Sequence, residues 1–183
     1  MIVNLDQILK ERLVYPESKN LQQRGIADKI EERCNLIIKQ NFPDVQDPRS
    51  RRSIEDITIG DTYVDHKSSD EALDFKMPNL ISIDRLIHLD KPLMYNFIIY
   101  NSDDKTIVKN FSLNVYELNW DHLSIQNLGK GQLQIKNMKE FLQNPKSTMT
   151  KEEWIARLKT EAIAFYDKLL SKTTDRKTYW MSL

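Results

Sequence analysis

Four carboxylates and one lysine lie close together in segment 54–69, which reads IEDITIGDTYVDHKSS. Acidic residues are uncommon in strands, yet both halves of this segment alternate as strands do, with a Gly-Asp turn between them. In such a hairpin Asp56 can lie beside Asp65 and Lys67, because side chains two residues apart share a face of a strand. Two carboxylates held that close repel each other unless a divalent cation neutralises them. The segment therefore predicts a cation site.

The chemistry expected at this site is hydrolysis of a phosphate ester. Carboxylate oxygens suit Mg²⁺, which prefers one or two carboxylates, several waters and the phosphates of a substrate. A lysine beside such a site can hold or deprotonate the attacking water, and it can stabilise extra negative charge on phosphorus. Asp61 is better explained by turn chemistry, and His66 should face away from Asp65 and Lys67. The alternative is an acidic surface hairpin that discourages aggregation.

The same residues resemble a known motif. Glu55-Asp56, then eight residues, then Asp65-His66-Lys67 looks like the PD-(D/E)xK motif of nucleases, which many type II restriction endonucleases share. The likeness covers the hairpin closely and the surrounding order of elements only loosely. This chain departs from the pattern in having glutamate where proline is usual.

The resemblance implies a role for each matching residue. Asp56 and Asp65 would bind the metal, and Lys67 would be the catalytic lysine. Family members often add a glutamate from the helix before the hairpin, which here is either Glu31 or Glu32.

Length and composition bound the fold. A chain of 183 residues with 40% hydrophobic residues can bury one sizeable core, so we expect a single domain over residues 1–183, which the resemblance implies is a nuclease domain. No apolar run approaches the length of a membrane span and the first residues are charged, which predicts a cytoplasmic protein without membrane contact. The single cysteine, Cys34, cannot form an internal disulfide and is expected in the core.

Further elements frame the hairpin. Helical spacing of apolar residues predicts one helix before it, in GIADKIEERCNLIIKQNF, and one after it, in PNLISIDRLIHL. The run LMYNFIIY predicts a buried strand, and short β segments follow within 105–136. A closing helix should begin after Thr150, with Glu153 completing a capping box. We therefore expect an α/β (α+β) fold with a mixed central β-sheet flanked by helices, and the resemblance implies a restriction-endonuclease-like core.

Charge is balanced overall, with 27 basic and 27 acidic residues, but it is unevenly distributed. Residues 53–104 hold 4 basic and 11 acidic residues, segment 49–52 reads RSRR, and residues 105–183 hold 13 basic and 8 acidic residues. An acidic strip with basic flanks suits a protein that holds a polyanion by its phosphates around a metal site. Ordinary solvated surface charge is the alternative.

Two segments are candidates for DNA contact, because Arg, Lys, Asn and Gln serve both base edges and phosphates. Segment 119–137 is rich in such groups and holds two of the four glycines, which predicts a tight turn. A solvated surface hairpin is the alternative there. The three tryptophans are expected in the core or in a subunit contact. The expected DNA contacts are Arg49, Arg51, Arg52, Gln126, Lys130, Gln132 and Gln134.

Together these features predict a magnesium-dependent type II restriction endonuclease that cuts double-stranded DNA at a short specific site. A palindromic site has two-fold symmetry, which a homodimer matches most simply. One alternative is a PD-(D/E)xK nuclease of DNA repair, recombination or phage DNA processing. The other is a non-catalytic nucleic-acid-binding or protein-interaction domain.

Overall fold

The computed structural model describes residues 5–17, 23–48, 50, 53–71, 77, 80–126 and 131–182. Within these ranges the α-helices are α1 (Leu5–Arg12), α2 (Gln23–Asn41), α3 (Leu80–Leu89), α4 (Met138–Gln143) and α5 (Lys151–Met181). The strands are β1 (Val45–Gln46), β2 (Ile57–Ile59), β3 (Thr62–Asp70), β4 (Leu93–Asn101), β5 (Thr106–Asn114), β6 (Leu123–Gln126) and β7 (Gln132–Ile135). Two short 3₁₀ helices, Val115–Glu117 and Trp120–His122, connect β5 to β6.

The strands form a five-stranded sheet in the order β1-β2-β3-β4-β5 and a separate two-stranded sheet of β6 and β7. Strands β3 and β4 are parallel, whereas all the other pairs are antiparallel. Helix α3 lies in the connection between the two parallel strands, as a parallel pair requires. The predicted α/β (α+β) class, with a mixed central sheet flanked by helices, is confirmed.

Each face of the large sheet carries its own apolar core. Helices α1 and α2 cover one face, where their apolar residues pack against Ile57, Val64 and Ile98. Helices α3, α4 and α5 and the small sheet pack on the other face, against Tyr95 and Phe97. Alternation along β3 and β4 sends successive side chains to opposite cores. The same alternation decides on which face each residue of the predicted site lies.

Helix α2 forms as the apolar periodicity predicts. Ile26, Ile30, Cys34 and Ile37 are all buried on its sheet-facing side. Cys34 therefore belongs to the core, as expected, and burial raises the pKa of its thiol. The cysteine is inert packing material in this position.

The hairpin turns tightly at Gly60. Ile59 is the register partner of Thr62, which leaves only two residues in the loop. Gly60 has a φ of +57°, a value that glycine adopts at no steric cost. The turn sets the register so that Ile57 opposes Val64, and both side chains enter the α2 core.

Helix α5 begins with the predicted capping box. The Thr150 side chain accepts from the Glu153 backbone, and the Glu153 side chain accepts from the Thr150 backbone.

Trp154 is buried and its Nε1 donates to the Leu118 carbonyl at 2.9 Å. Trp120 is buried beside it, whereas Trp180 is 71% exposed. Of the two positions expected for the tryptophans, the core is confirmed for the first two, whereas the exposure of Trp180 leaves a subunit contact as the prediction for it.

A helix must reach a certain length and apolarity to span a membrane. No helix in the described part of the chain is both long enough and apolar enough to cross a bilayer.

Candidate functional site

The two predicted metal ligands meet at the end of the hairpin away from its turn. Asp56 directly precedes β2, and its backbone N–H donates to the Val64 carbonyl at 2.9 Å. The paired register ends at Ile57 and Val64, and the Asp56 carboxylate lies close enough to that of Asp65 to raise its pKa by charge and by a side-chain hydrogen bond. An Asp56 carboxylate oxygen also accepts from the backbone N–H of His66 at 2.7 Å. The Asp56 carboxylate is therefore fixed by the backbone of β3 and lies beside Asp65, as the sequence predicts.

Asp65 lies almost completely buried between strands β2 and β4. Its register partner on β4 is Tyr95, and its carboxylate pairs with the ammonium of Lys67. Burial raises the pKa of Asp65 to about 7, the charge of Lys67 lowers it, and the nearby Asp56 carboxylate raises it again. Two carboxylates thus share one small region with a single lysine, a charge pattern that favours a further cation.

Lys67 points to the same face of β3 as Asp65, as alternation predicts. Its ammonium lies 5.6 Å from the centre of the Tyr95 ring, on which it can rest by a cation–π contact. Its side chain is 17% exposed, so the charge is close to the surface without being fully solvated. The lysine is held in place by one carboxylate and one aromatic face.

Glu31 reaches the hairpin from helix α2. The Ser68 hydroxyl donates to its carboxylate at 2.8 Å. Burial raises the pKa of Glu31, the hydrogen bond from Ser68 lowers it, and Asp56 and Lys67 act on it by charge. Glu32, the other candidate, is exposed and lines a groove on the far side of α2 with Val14 and Leu36. Of the two glutamates left open by the sequence, Glu31 is therefore the one beside the hairpin.

His66 faces away from Asp65 and Lys67, as expected, and lies buried under α2. Its Nε2 is 3.1 Å from the Asn35 amide oxygen, and its Nδ1 is 2.9 Å from the Asn96 amide nitrogen. Burial lowers the pKa of His66 to about 4, so the ring is neutral at ordinary pH. The contacts fix the ring between β4 and α2, and so hold β3 in its position.

Sequence reasoning did not identify Ser68, Asn35, Asn96 or Tyr95. One signal was present for Asn35, which follows Glu31 by one helical turn and places a second polar group on the side of α2 near the core. Ser68 follows His66 by two residues and shares its face of the strand. Asn96 and Tyr95 carried no signal, because their contacts depend on the pairing of β3 with β4.

The capacity of this site to bind a metal ion depends on its carboxylates. Over the ranges that the structure describes, no group of three or more His, Cys, Asp and Glu side chains is arranged to hold a metal. The donor set is the pair Asp56 and Asp65, with Glu31 beyond it. Two carboxylates agree with the preference of Mg²⁺ for few protein ligands and many waters.

The predicted DNA contacts are only partly within the described residues. Gln126, Gln132 and Gln134 lie with Ser124 on one face of the β6-β7 hairpin, opposite its buried apolar face. The Gln132 amide nitrogen donates to the Met77 carbonyl, so this side chain already has a partner inside the protein. The remaining four candidates, Arg49, Arg51, Arg52 and Lys130, lie outside the described residues.

Comparison with known proteins adds no relative. No protein-family model matches the sequence, and no curated protein matches it. The likeness to the PD-(D/E)xK pattern therefore rests on the residues of the sequence alone.

Proposed function

We propose that this protein is a magnesium-dependent endonuclease that hydrolyses phosphodiester bonds of double-stranded DNA at a short specific site. The observation that supports the proposal most is the approach of Asp56 to Asp65 at the end of the hairpin, with Lys67 paired to Asp65. A surface hairpin has no need to bury a carboxylate, since burial of a charge costs free energy. Buried, perturbed carboxylates are instead typical of functional sites.

In this proposal Asp56 and Asp65 hold the metal. Asp56 and Asp65 already lie beside each other. Burial raises the pKa of Asp65, and a bound divalent cation would lower that pKa by stabilising the charged carboxylate. When bound, Mg²⁺ would supply stabilisation of negative charge on the phosphate oxygens.

Lys67 is proposed to act on the scissile phosphate. Its ammonium is fixed by Asp65 and the Tyr95 ring, so it needs little reorganisation to stabilise charge that develops at phosphorus. Glu31 is proposed to orient water or substrate from the other side of the hairpin, in the position fixed by Ser68. Each of these residues belongs to a regular helix or strand, which supports precise placement.

The partner proposed is double-stranded DNA. A groove of about 330 Å³ joins Gln126 of the small sheet to Lys168 and Lys172 of α5. Amide and ammonium groups on one surface suit phosphate and base contacts. The arginines of segment 49–52 are proposed to hold phosphates beside the cut. A homodimer is proposed because it would match the two-fold symmetry of a palindromic site.

Incubation of the purified protein with plasmid DNA tests the proposal. We expect cleavage in Mg²⁺, none in EDTA, and discrete fragments on a gel. Asp65→Asn, purified in parallel, should be inactive, which excludes a contaminating nuclease as the source of cleavage. Absence of cleavage by the wild-type protein over a range of DNA substrates and divalent cations would contradict the proposal. A smear in place of bands would support nuclease activity but would contradict cleavage at a specific site.

A further inference from the structure

We propose that the C-terminal half of α5 forms the interface of a homodimer, by packing antiparallel against the α5 helix of a second copy. This inference names the surface for the homodimer of the proposed function, and it does not depend on nuclease activity. Four features of α5 support it: its exposure, its apolar stripe, a groove near its middle and its charges.

The end of α5 extends beyond the cores of the protein. Every residue from Leu170 to Ser182 is exposed, although the helix continues to Met181. The exposed helical part is about 18 Å long at 1.5 Å per residue. In proteins most of the stability of a helix comes from packing of one of its faces and not from the helix alone. A surface that packs against this segment would therefore stabilise it.

An apolar stripe runs along this part of the helix. Ile163, Leu170, Trp180 and Met181 are 53%, 67%, 71% and 78% exposed. Ile163, Tyr166, Leu170 and Trp180 fall on one stripe at steps of three or four residues, in which Thr173 and Lys177 take the two positions between Leu170 and Trp180, and Met181 lies beside the stripe. Exposed apolar side chains aligned in this way along a helix are typical of the seam between paired helices.

A groove lies on the same side of the molecule, between α3 and α5. It has a volume of about 420 Å³, and its lining includes Ile81, Ile155, Ala162 and Tyr166. An antiparallel pair of α5 helices centred near residue 172 would bring Trp180 of one copy beside residues 162–166 of the other. Because the axis is two-fold, the same contact forms twice. The occupant proposed for each groove is thus the tryptophan of the second copy.

The charges on α5 agree with this arrangement. Asp167 and Lys177 lie five residues on either side of position 172, so each would face the other across the two-fold axis. Neither makes an ion pair with any residue in the described ranges. A charged residue within an apolar seam also fixes the register of paired helices.

The area available is close to what a stable dimer needs. At about 200 Å² for a large side chain, the exposed parts of the five stripe residues come to roughly 600 Å² per copy. Specific interfaces bury about 800 Å² per partner, and the walls of the groove would supply the difference.

Sedimentation of the full chain over a concentration series tests the proposal. We expect a dimer, with a dissociation constant at least roughly tenfold larger in Trp180→Ala, because aromatic residues that fill desolvated pockets dominate the energy of interfaces. Val108→Ala is the control: this apolar side chain is similarly exposed, at 52%, but lies on the edge strand β5 and not on α5. We expect its association to equal that of the wild type. A wild-type monomer, or equal weakening by both substitutions, would overturn the interface.

A charge exchange tests the register. Lys177→Glu should weaken association, because the new carboxylate would then face Asp167 of the second copy. The double variant, Asp167→Lys with Lys177→Glu, should restore it. Failure of the double variant to restore association would overturn the antiparallel register.

The outcomes for the dimer and for the nuclease are separable. A monomer that cleaves DNA would support the nuclease proposal and contradict this interface. A dimer that cleaves no DNA would support the interface and contradict the nuclease proposal. A monomer whose DNA affinity falls on Trp180→Ala would assign the stripe to nucleic acid and overturn the proposal.

Discussion

The two ends of the β2-β3 hairpin both pair an aspartate with a lysine, but they differ in burial. Asp61, at the turn, lies 3.1 Å from the Lys91 ammonium and its side chain is 95% exposed. Asp65, at the other end, pairs with Lys67 and its side chain is 10% exposed. An exposed pair is screened by water and contributes at most about 1 kcal/mol. The comparison teaches that two similar aspartate–lysine pairs differ in burial and in the presence of a second carboxylate, and these two features are typical of functional sites.

The largest expected effect separates the two ends directly. Asp56→Asn should abolish magnesium-dependent cleavage, because it removes one of the two proposed metal ligands while its amide oxygen can still accept from His66. Asp61→Asn, at the exposed end, should cut at the wild-type rate. Initial cleavage rates of the two variants on one plasmid check this. Greater sensitivity at Asp61 would mean that the chemistry lies at the turn.

A second prediction concerns Lys67. Replacing it with methionine keeps much of the stem and removes the charge, so single-turnover cleavage should fall on the order of a hundredfold. DNA affinity measured in Ca²⁺, which we expect to support binding without cleavage, should change little. Lys91→Met is the control at the exposed end. Lowered affinity with an unchanged cleavage rate at saturation would make Lys67 a phosphate anchor and not a catalytic group.

A third prediction tests the position of Glu31. Ser68→Ala removes the hydrogen bond to the Glu31 carboxylate and should slow cleavage by roughly tenfold. The bond from Ser68 lowers the pKa of Glu31, so its loss should move the pH–rate profile to higher pH. Ser68→Thr retains a hydroxyl and should restore both rate and profile. An unchanged profile in Ser68→Ala would exclude Glu31 from the reaction.

The smallest expected effect is on stability. Burial raises the pKa of Asp65 to about 7, so its protonated form stabilises the fold. This contribution is complete below the unfolded pKa, about 3.9, and is lost as the pH rises through about 7. In EDTA, Asp65→Asn should therefore gain stability relative to wild type between pH 5 and pH 8, by more than about 1 kcal/mol. Denaturant melts at both pH values measure this.

The local parts of this arrangement could be predicted from sequence. Alternating side chains and a short loop in the sequence predict the hairpin, its turn and the approach of Asp56 to Asp65. The capping box of α5 follows from Thr150 and Glu153, which are three residues apart. All of these features depend on near neighbours in the chain, so their physical causes are visible in the sequence.

The remaining parts depend on contacts between distant residues. The rotation of α2 on the sheet places Glu31, and not Glu32, beside the hairpin. The sequence pattern fits both residues equally well. The contacts of His66 with Asn35 and Asn96 join three elements, so no single segment carries their signal. The sequence also left Trp180 between the core and a subunit contact, because composition does not show where a long helix leaves the core.

The separation of the site residues along the chain has a consequence for how the site assembles. Asp56 and Asp65 are joined by a hairpin with a two-residue loop, and hairpins close in about 1–10 µs. Glu31 and Ser68 are 37 residues apart and meet only when α2 docks on the sheet. Closing that longer loop costs more chain entropy. The carboxylate pair is thus a product of local folding, whereas the glutamate joins it only through tertiary structure.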